Sequence, residues 1–301
     1  MIGRTRNDKI FDAINGFLLL ILLLAVAYPL YFVVIASISS PTLVNSGEVL
    51  FYPKGLNFTG YTFVLQDEML WHGYLVTIVL TVVGTIINLA LTFTGAYALT
   101  KTHLPGIKVI MFLFTFTMFF SGGMIPTYIL VSKLGLRNTI WSMILPSAVS
   151  VYNLILVRTY IMRSISEEIM DAARIDGCGD WRLFLSVVLP LSAPIMATMA
   201  LFYGVGHWNQ FFAALIYISD QDLYPLQLVL RNLLLAGQNA MTDMISGGAS
   251  GMDPQYIADL MQRAEILKYA VIIVATVPIL AVYPFLQKYF VKGIMAGSLK
   301  G

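Results

Sequence analysis

The chain has 301 residues, of which 58% are hydrophobic and 11% charged, with a formal net charge of +2 and a mean hydropathy of +0.80. Soluble domains carry roughly 25% charged residues, so this composition excludes an ordinary soluble enzyme and points to a membrane protein. No nucleic-acid partner is expected of it.

Residues 1–15 form a short cytoplasmic tail ahead of the first apolar run, 16–38. That run exceeds the roughly 20 residues needed to cross a bilayer, and it passes through Tyr28-Pro29 without a small-residue cleavage site. It is therefore read as a retained span. An external loop, 39–73, follows, and then a five-helix core, 74–290, with apolar runs at 74–99, 109–131, 139–162, 183–206 and 269–289. The core contains a charged loop at 164–190 and an external segment at 220–268, in which Asp253-Pro254 marks a turn. Residues 291–301 form a cytoplasmic tail ending in GIMAGSLKG.

Placing both termini inside leaves twelve basic residues on the cytoplasmic side: Arg4, Arg6, Lys9, Lys101, Lys108, Arg158, Arg163, Arg174, Arg182, Lys288, Lys292 and Lys300. Six remain outside: Lys54, Lys133, Arg137, Arg231, Arg263 and Lys268. The bias follows the positive-inside rule, so the expected topology is six spans, N-in and C-in.

Within the spans, Asn88 is polar in apolar surroundings and reads as an interhelical hydrogen-bonding group. Ser121-Gly122-Gly123 and Pro126 interrupt the third span, where Gly122, Gly123 and Pro126 serve either as a hinge or as close packing points. Arg158, near the inner end of the fourth span, either snorkels to the headgroups or touches substrate. Tyr152, Asn153, Tyr203, His207, Trp208, Asn209 and Gln210 suit the stacking and hydrogen bonding of a saccharide path. An interfacial aromatic belt is the other reading. No span carries an acidic residue in its interior, which argues against a self-sufficient proton- or sodium-coupled carrier.

The densest charge lies in EEIMDAARIDGCGDWR, residues 167–182. Ser164 and Glu167 fit a capping box, and Glu167, Glu168 and Asp171 suit the positive end of a helix dipole. Ile165, Ile169, Ala172 and Ala173 form a short apolar stripe, with Glu168, Asp171 and Arg174 on the remaining face. Gly177 and Gly179 stop this helix, Asp180 can cap the next, and Pro190 and Pro194 should kink the fifth span. Cys178 reads as a small packed thiol, with no second cysteine to pair with. A docking element and a solvated or interfacial helix both fit this pattern.

Asp171-Ala172-Ala173, then Gly177, then Val187-Val188-Leu189-Pro190 resembles the EAA loop of binding-protein-dependent ABC importer permeases, E-A-A-x3-G-x9-I-x-L-P. Tyr28-Pro29-Leu30-Tyr31, Tyr97-Ala98-Leu99, the run Phe119 to Tyr128, Leu223-Tyr224-Pro225-Leu226-Gln227 and the tail Tyr283 to Gly293 are similar to one carbohydrate-importer branch, the LplC-like and MalG-like permeases. That branch serves oligosaccharides, including acidic fragments such as alginate.

The resemblance implies an all-α integral membrane protein of the MetI-like type I importer fold, multi-pass in a bacterial plasma (inner) membrane. It implies a second homologous permease, a pair of ATPase subunits, a periplasmic or extracellular solute-binding protein and an oligosaccharide substrate. ATP and Mg would be bound by the ATPase, with no cofactor or metal in this chain. Glu168, Asp171, Ala172, Ala173, Arg174, Asp176 and Gly177 would be the ATPase-coupling residues, Asp171 standing one methylene shorter than the family's Glu. No catalytic role is expected: His72, His103 and His207 lack metal-ligand spacing, and no phosphate-binding glycine loop is present. The rivals are a self-sufficient secondary transporter or channel, and a scaffold without transport.

Overall fold

The computed structural model describes residues 6–245, 267–281 and 284. Every regular element among them is helical. The chain divides into two compact units, Met1–Glu68 with Leu230–Val277, and Met69–Val229 with Pro278–Gly301.

The first unit is built on the helix Arg6–Ser37, whose apolar stretch is exposed almost throughout. A helix that is apolar on every side has no solvent face, which marks a membrane span. At its outer end Ile35 and Ala36 bury against Val44 and Val49, with Phe32 and Tyr269 packed edge-on alongside at 6.0 Å. The Tyr31 hydroxyl donates to the Phe51 carbonyl at 2.6 Å and so folds the external loop back along the helix.

The second unit is organised by the helix Glu68–Ala98. It buries Leu70, Gly73, Val76, Thr77, Leu80, Gly84, Asn88, Thr92, Phe93, Ala96 and Tyr97, a three- and four-residue spacing that presents one face to its neighbours. Two clusters cover that face. The outer one joins Val76 and Leu80 to Met143, Ile144, Ala214 and Leu228; the inner one joins Phe93, Ala96 and Tyr97 to Leu154, Val157, Leu183, Phe184 and Met199.

The expected third, fourth and fifth spans are each broken. Ile107–Phe119 and Met124–Lys133 meet at 114°, so 109–131 is not one straight span. The cause is local, since Gly123 takes φ 85 and ψ 177, a conformation open essentially only to glycine. Trp141–Ser147 and Val151–Ser164 meet at 52° after Pro146, and Asp180–Leu191 and Ala193–Trp208 meet at 80° about Ser192. Pro194 stands in the opening positions of the outer segment and Pro190 lies two residues before Ser192, so the kink expected of the two prolines falls as a break between them. A π-helical turn, Phe184–Val188, precedes the 80° break.

After the fifth span come the short helix Phe212–Tyr217, a 3-10 turn Gln221–Leu223 and the helix Leu226–Ile245, and the apolar helix Leu267–Ala281 carries the start of the expected sixth span. The Asp253-Pro254 turn, the end of that span and the tail 291–301 lie outside the described residues.

Candidate functional site

The charged loop folds as a helix, Glu167–Ile175, closed by a glycine. Gly177 has φ +78, its N–H donates to the Arg174 carbonyl at 3.0 Å, and the Cys178 N–H donates to the Ala173 carbonyl at 3.0 Å. This is a Schellman closure, in which the left-handed residue is favourable only for glycine or asparagine. Its apolar partners are Ala173 and Cys178, which pack with Met170 against the inner core. Cys178 is thus the half-buried thiol the sequence suggests.

Two local expectations change. The N-cap is Ser166, extended at φ −67 and ψ 150 with no side-chain cap bond, whereas Ser164 is the last residue of the preceding helix; the capping box does not form. Ile165 lies between the two helices, 2% exposed in the inner core, where it pins the loop and is unavailable to the stripe. The stripe that faces outward is Ile169, Ala172 and Ile175. Ile175, 86% exposed, extends the stripe beyond the residues the sequence suggests, and its signal is the three-residue spacing it continues from Ile169 and Ala172. Glu168 and Asp176 are exposed, and Asp171 pairs with Arg174 at 2.8 Å. Beside the helix, a cavity of about 360 Å³ is lined by Lys101, His103, Glu167, Asp171 and Arg174 among others.

Asp180 does not cap the next helix; Gly179 holds that position. Its carboxylate instead accepts from the Lys101 ammonium at 3.0 Å and from the Tyr97 hydroxyl at 3.3 Å, while Lys101 stands 4.7 Å from the centre of the Tyr97 ring. The bond from Lys101 and its charge hold the Asp180 carboxyl below its ordinary value. These contacts tie the inner end of the second span to the root of the fifth. Arg158 works at the same level, its Nε donating to the Leu99 carbonyl at 2.8 Å, where a cation suits the negative end of the second helix.

The proposed path residues separate. Asn88 donates to the Ser147 and Ala148 carbonyls at 3.0 and 2.8 Å, satisfying the break in the fourth span, and its Oδ1 accepts from His207 Nε2 at 2.7 Å. The ring of His207 reaches Asn88 by lying on Gly84, where a Cβ would stand 2.5 Å from Nε2. Gln210 lies 3.2 Å from His207 Nδ1 and donates to the Met143 carbonyl at 2.8 Å. Tyr203 shares a 2.7 Å hydrogen bond with Thr92. Tyr203, His207 and Gln210 therefore join helices, as expected for Asn88. Trp208 is buried beside Tyr74, Asn153 is buried, and Tyr152 and Asn209 are exposed. Gly122, Gly123 and Pro126 stand at the 114° break.

A family model described as binding-protein-dependent transport system inner membrane component matches residues 9–296. The chain belongs to this family.

Two relatives of the permease come from Bacillus subtilis (strain 168). The polygalacturonan/rhamnogalacturonan transport system permease protein YtcP is 37% identical over 296 residues, covering 98% of this chain and 100% of YtcP. Protein LplC is 39% identical over 301 residues, covering 99% and 97%. Among solved structures, a bacterial ABC transporter involved in the import of the acidic polysaccharide alginate matches with a TM-score of 0.82 and 32% identity, over 96% of this permease and 100% of that chain. The protein is a multi-pass, all-helical permease component of an ABC importer with the MetI-like fold, and the self-sufficient carrier is not favoured.

Proposed function

We propose that the permease imports an oligosaccharide, acidic in charge, using ATP hydrolysed by a separate pair of ATPase subunits, one of which docks on the helix Glu167–Ile175. The observation that carries this reading is the division of that helix. Met170 and Ala173 hold it to the inner core through a Gly177 closure, while Ile169, Ala172 and Ile175 face outward with nothing of the described chain covering them. Glu168, Asp171, Arg174 and Asp176 border that apolar strip with charge, the arrangement of a docking surface with a polar rim. ATP and Mg would be held by the ATPase.

A second permease would complete the translocation path, and a solute-binding protein would deliver the sugar from outside. The acidic substrate rests on YtcP and the alginate transporter, whose names specify polygalacturonan, rhamnogalacturonan and alginate. Along the path, Tyr152 and Asn209 offer exposed polar groups, and the hinge residues Gly122, Gly123 and Pro126 stand where the third span turns.

The test is co-purification from the native membrane in mild detergent. Wild type should bring an ATPase and a second permease, and Gly177→Asp, which places a side chain at φ +78, should lose the ATPase alone. Recovery of the chain by itself, transporting without ATP, overturns the proposal.

A further inference from the structure

The external ends of the third, fourth and fifth spans meet in a cluster remote in sequence from the coupling helix. Tyr128 stacks on Tyr217 with ring centroids 6.0 Å apart and 10° between their planes. The Arg137 guanidinium lies over the Tyr128 ring, 5.4 Å from its centroid.

The backbone beside Arg137 is held in place. Asn138 adopts φ 56, its N–H donates to the Tyr217 carbonyl at 2.9 Å, and its Oδ1 accepts from the amides of Ser219 and Asp220 at 3.0 and 2.9 Å. Asparagine is one of the few residues at ease in that left-handed conformation, and its short amide reaches both N–H groups. Arg137 thus stands one residue from a three-bond clasp onto the loop that carries Tyr217.

Arg137 is exposed, and among the described residues it has no ion-pair partner. The nearby Asp220 carboxylate accepts from the Asp222 amide within its own loop. A guanidinium resting on an aromatic ring through its face keeps its in-plane N–H fork free, and that fork matches a carboxylate bidentately. A uronic acid offers a carboxylate to that exposed fork, while the half-buried Tyr128 and the buried Tyr217 form the stacked support that holds the guanidinium.

We propose that Arg137, with Tyr128 and Tyr217, forms an external subsite for the carboxylate of an acidic sugar entering the permease. The assignment rests on the oligosaccharide-import reading and adds the residues that read charge.

The test uses the complete importer in proteoliposomes, with uptake of a galacturonic acid tetramer and of its neutral methyl ester compared for wild type, Arg137→Gln and Arg137→Lys. Arg137→Gln should slow uptake of the acid about 10- to 100-fold while the ester changes less than about twofold. Arg137→Lys should restore only part, because a point charge lacks the fork. Equal acid uptake by Arg137→Gln and wild type overturns the subsite. So does an equal loss for both sugars with weakened stimulation of ATP hydrolysis by the binding protein, which assigns Arg137 to a protein contact. A wild type that imports only the ester overturns the subsite and leaves the importer standing; one that imports neither overturns the import reading itself.

Discussion

Lys101 and Asp180, 79 residues apart in sequence, meet at 3.0 Å and join the inner end of the second span to the root of the fifth. The lysine side chain is 12% exposed and the aspartate side chain 75%, so the pair has one sheltered and one wet partner. Asp180 also receives the Tyr97 hydroxyl, and Tyr97 packs on Phe184 at 5.2 Å. Removing the carboxylate leaves a sheltered ammonium without its partner.

Asp180→Asn should therefore lower thermal stability at neutral pH, by no more than about 1 kcal/mol because one partner is exposed. The pH dependence has a fixed sign. A carboxyl held below its ordinary value stabilises the fold above the unfolded pKa of about 3.9, and that contribution disappears as pH falls through the lower folded value. Melting of the purified protein at pH 7 and 5 should show the same gap between wild type and Asp180→Asn, and the gap should close only in stronger acid.

Gly177 sets a graded series. At φ +78, with open space where a Cβ would stand, the cost of substitution is conformational and not steric. Gly177→Asn should be tolerated best, and Gly177→Ala and Gly177→Val should cost about 1–2 kcal/mol of local stability. Hydrogen exchange across residues 167–178 should rise in that order, and a flat series would remove the closure from the account.

Gly84→Ala places a methyl 2.5 Å from His207 Nε2 and should displace the ring from Asn88. Overpacking of this kind costs about 1–3 kcal/mol. The cost should shrink in a His207→Ala background, where the clash is gone; thermal melts of the four proteins of this cycle measure the difference.

Ile175→Glu separates folding from coupling. At 86% exposure the side chain supports little of the fold, so the melting temperature should hardly move. Co-purified ATPase should fall at least tenfold, since a charge would enter an apolar contact. Retention of the ATPase at wild-type levels would remove Ile175 from the docking face.

Much of this was written locally. Gly177 was legible because glycine is the residue that most readily closes a helix in the left-handed region, and Asn88 because a lone amide in an apolar run needs a partner. What stayed hidden depends on residues distant in sequence. Ser164 satisfies a capping pattern, but burial of Ile165 moves the helix start to Ser166. Asp180 carries the mark of a cap, yet Lys101 claims its carboxylate. Tyr203 and His207 share composition with a sugar path, and their partners Thr92 and Asn88 lie more than 100 residues away. The 114° turn after Phe119 was signalled by two glycines and a proline, but its angle was not.

The fifth span is two rods meeting at Ser192, and that changes how displacement travels along it. An unbroken helix pushed from below slides as a piston. Two segments joined at 80° convert the same push into rotation about the joint. The inner rod, Asp180–Leu191, is about 18 Å long at 1.5 Å per residue, so a 10° swing about Ser192 carries its free end about 3 Å sideways. That free end is Asp180, where Lys101 ties it to the second span, and any torque applied there is shared between two helices before it reaches the outer half of the bilayer.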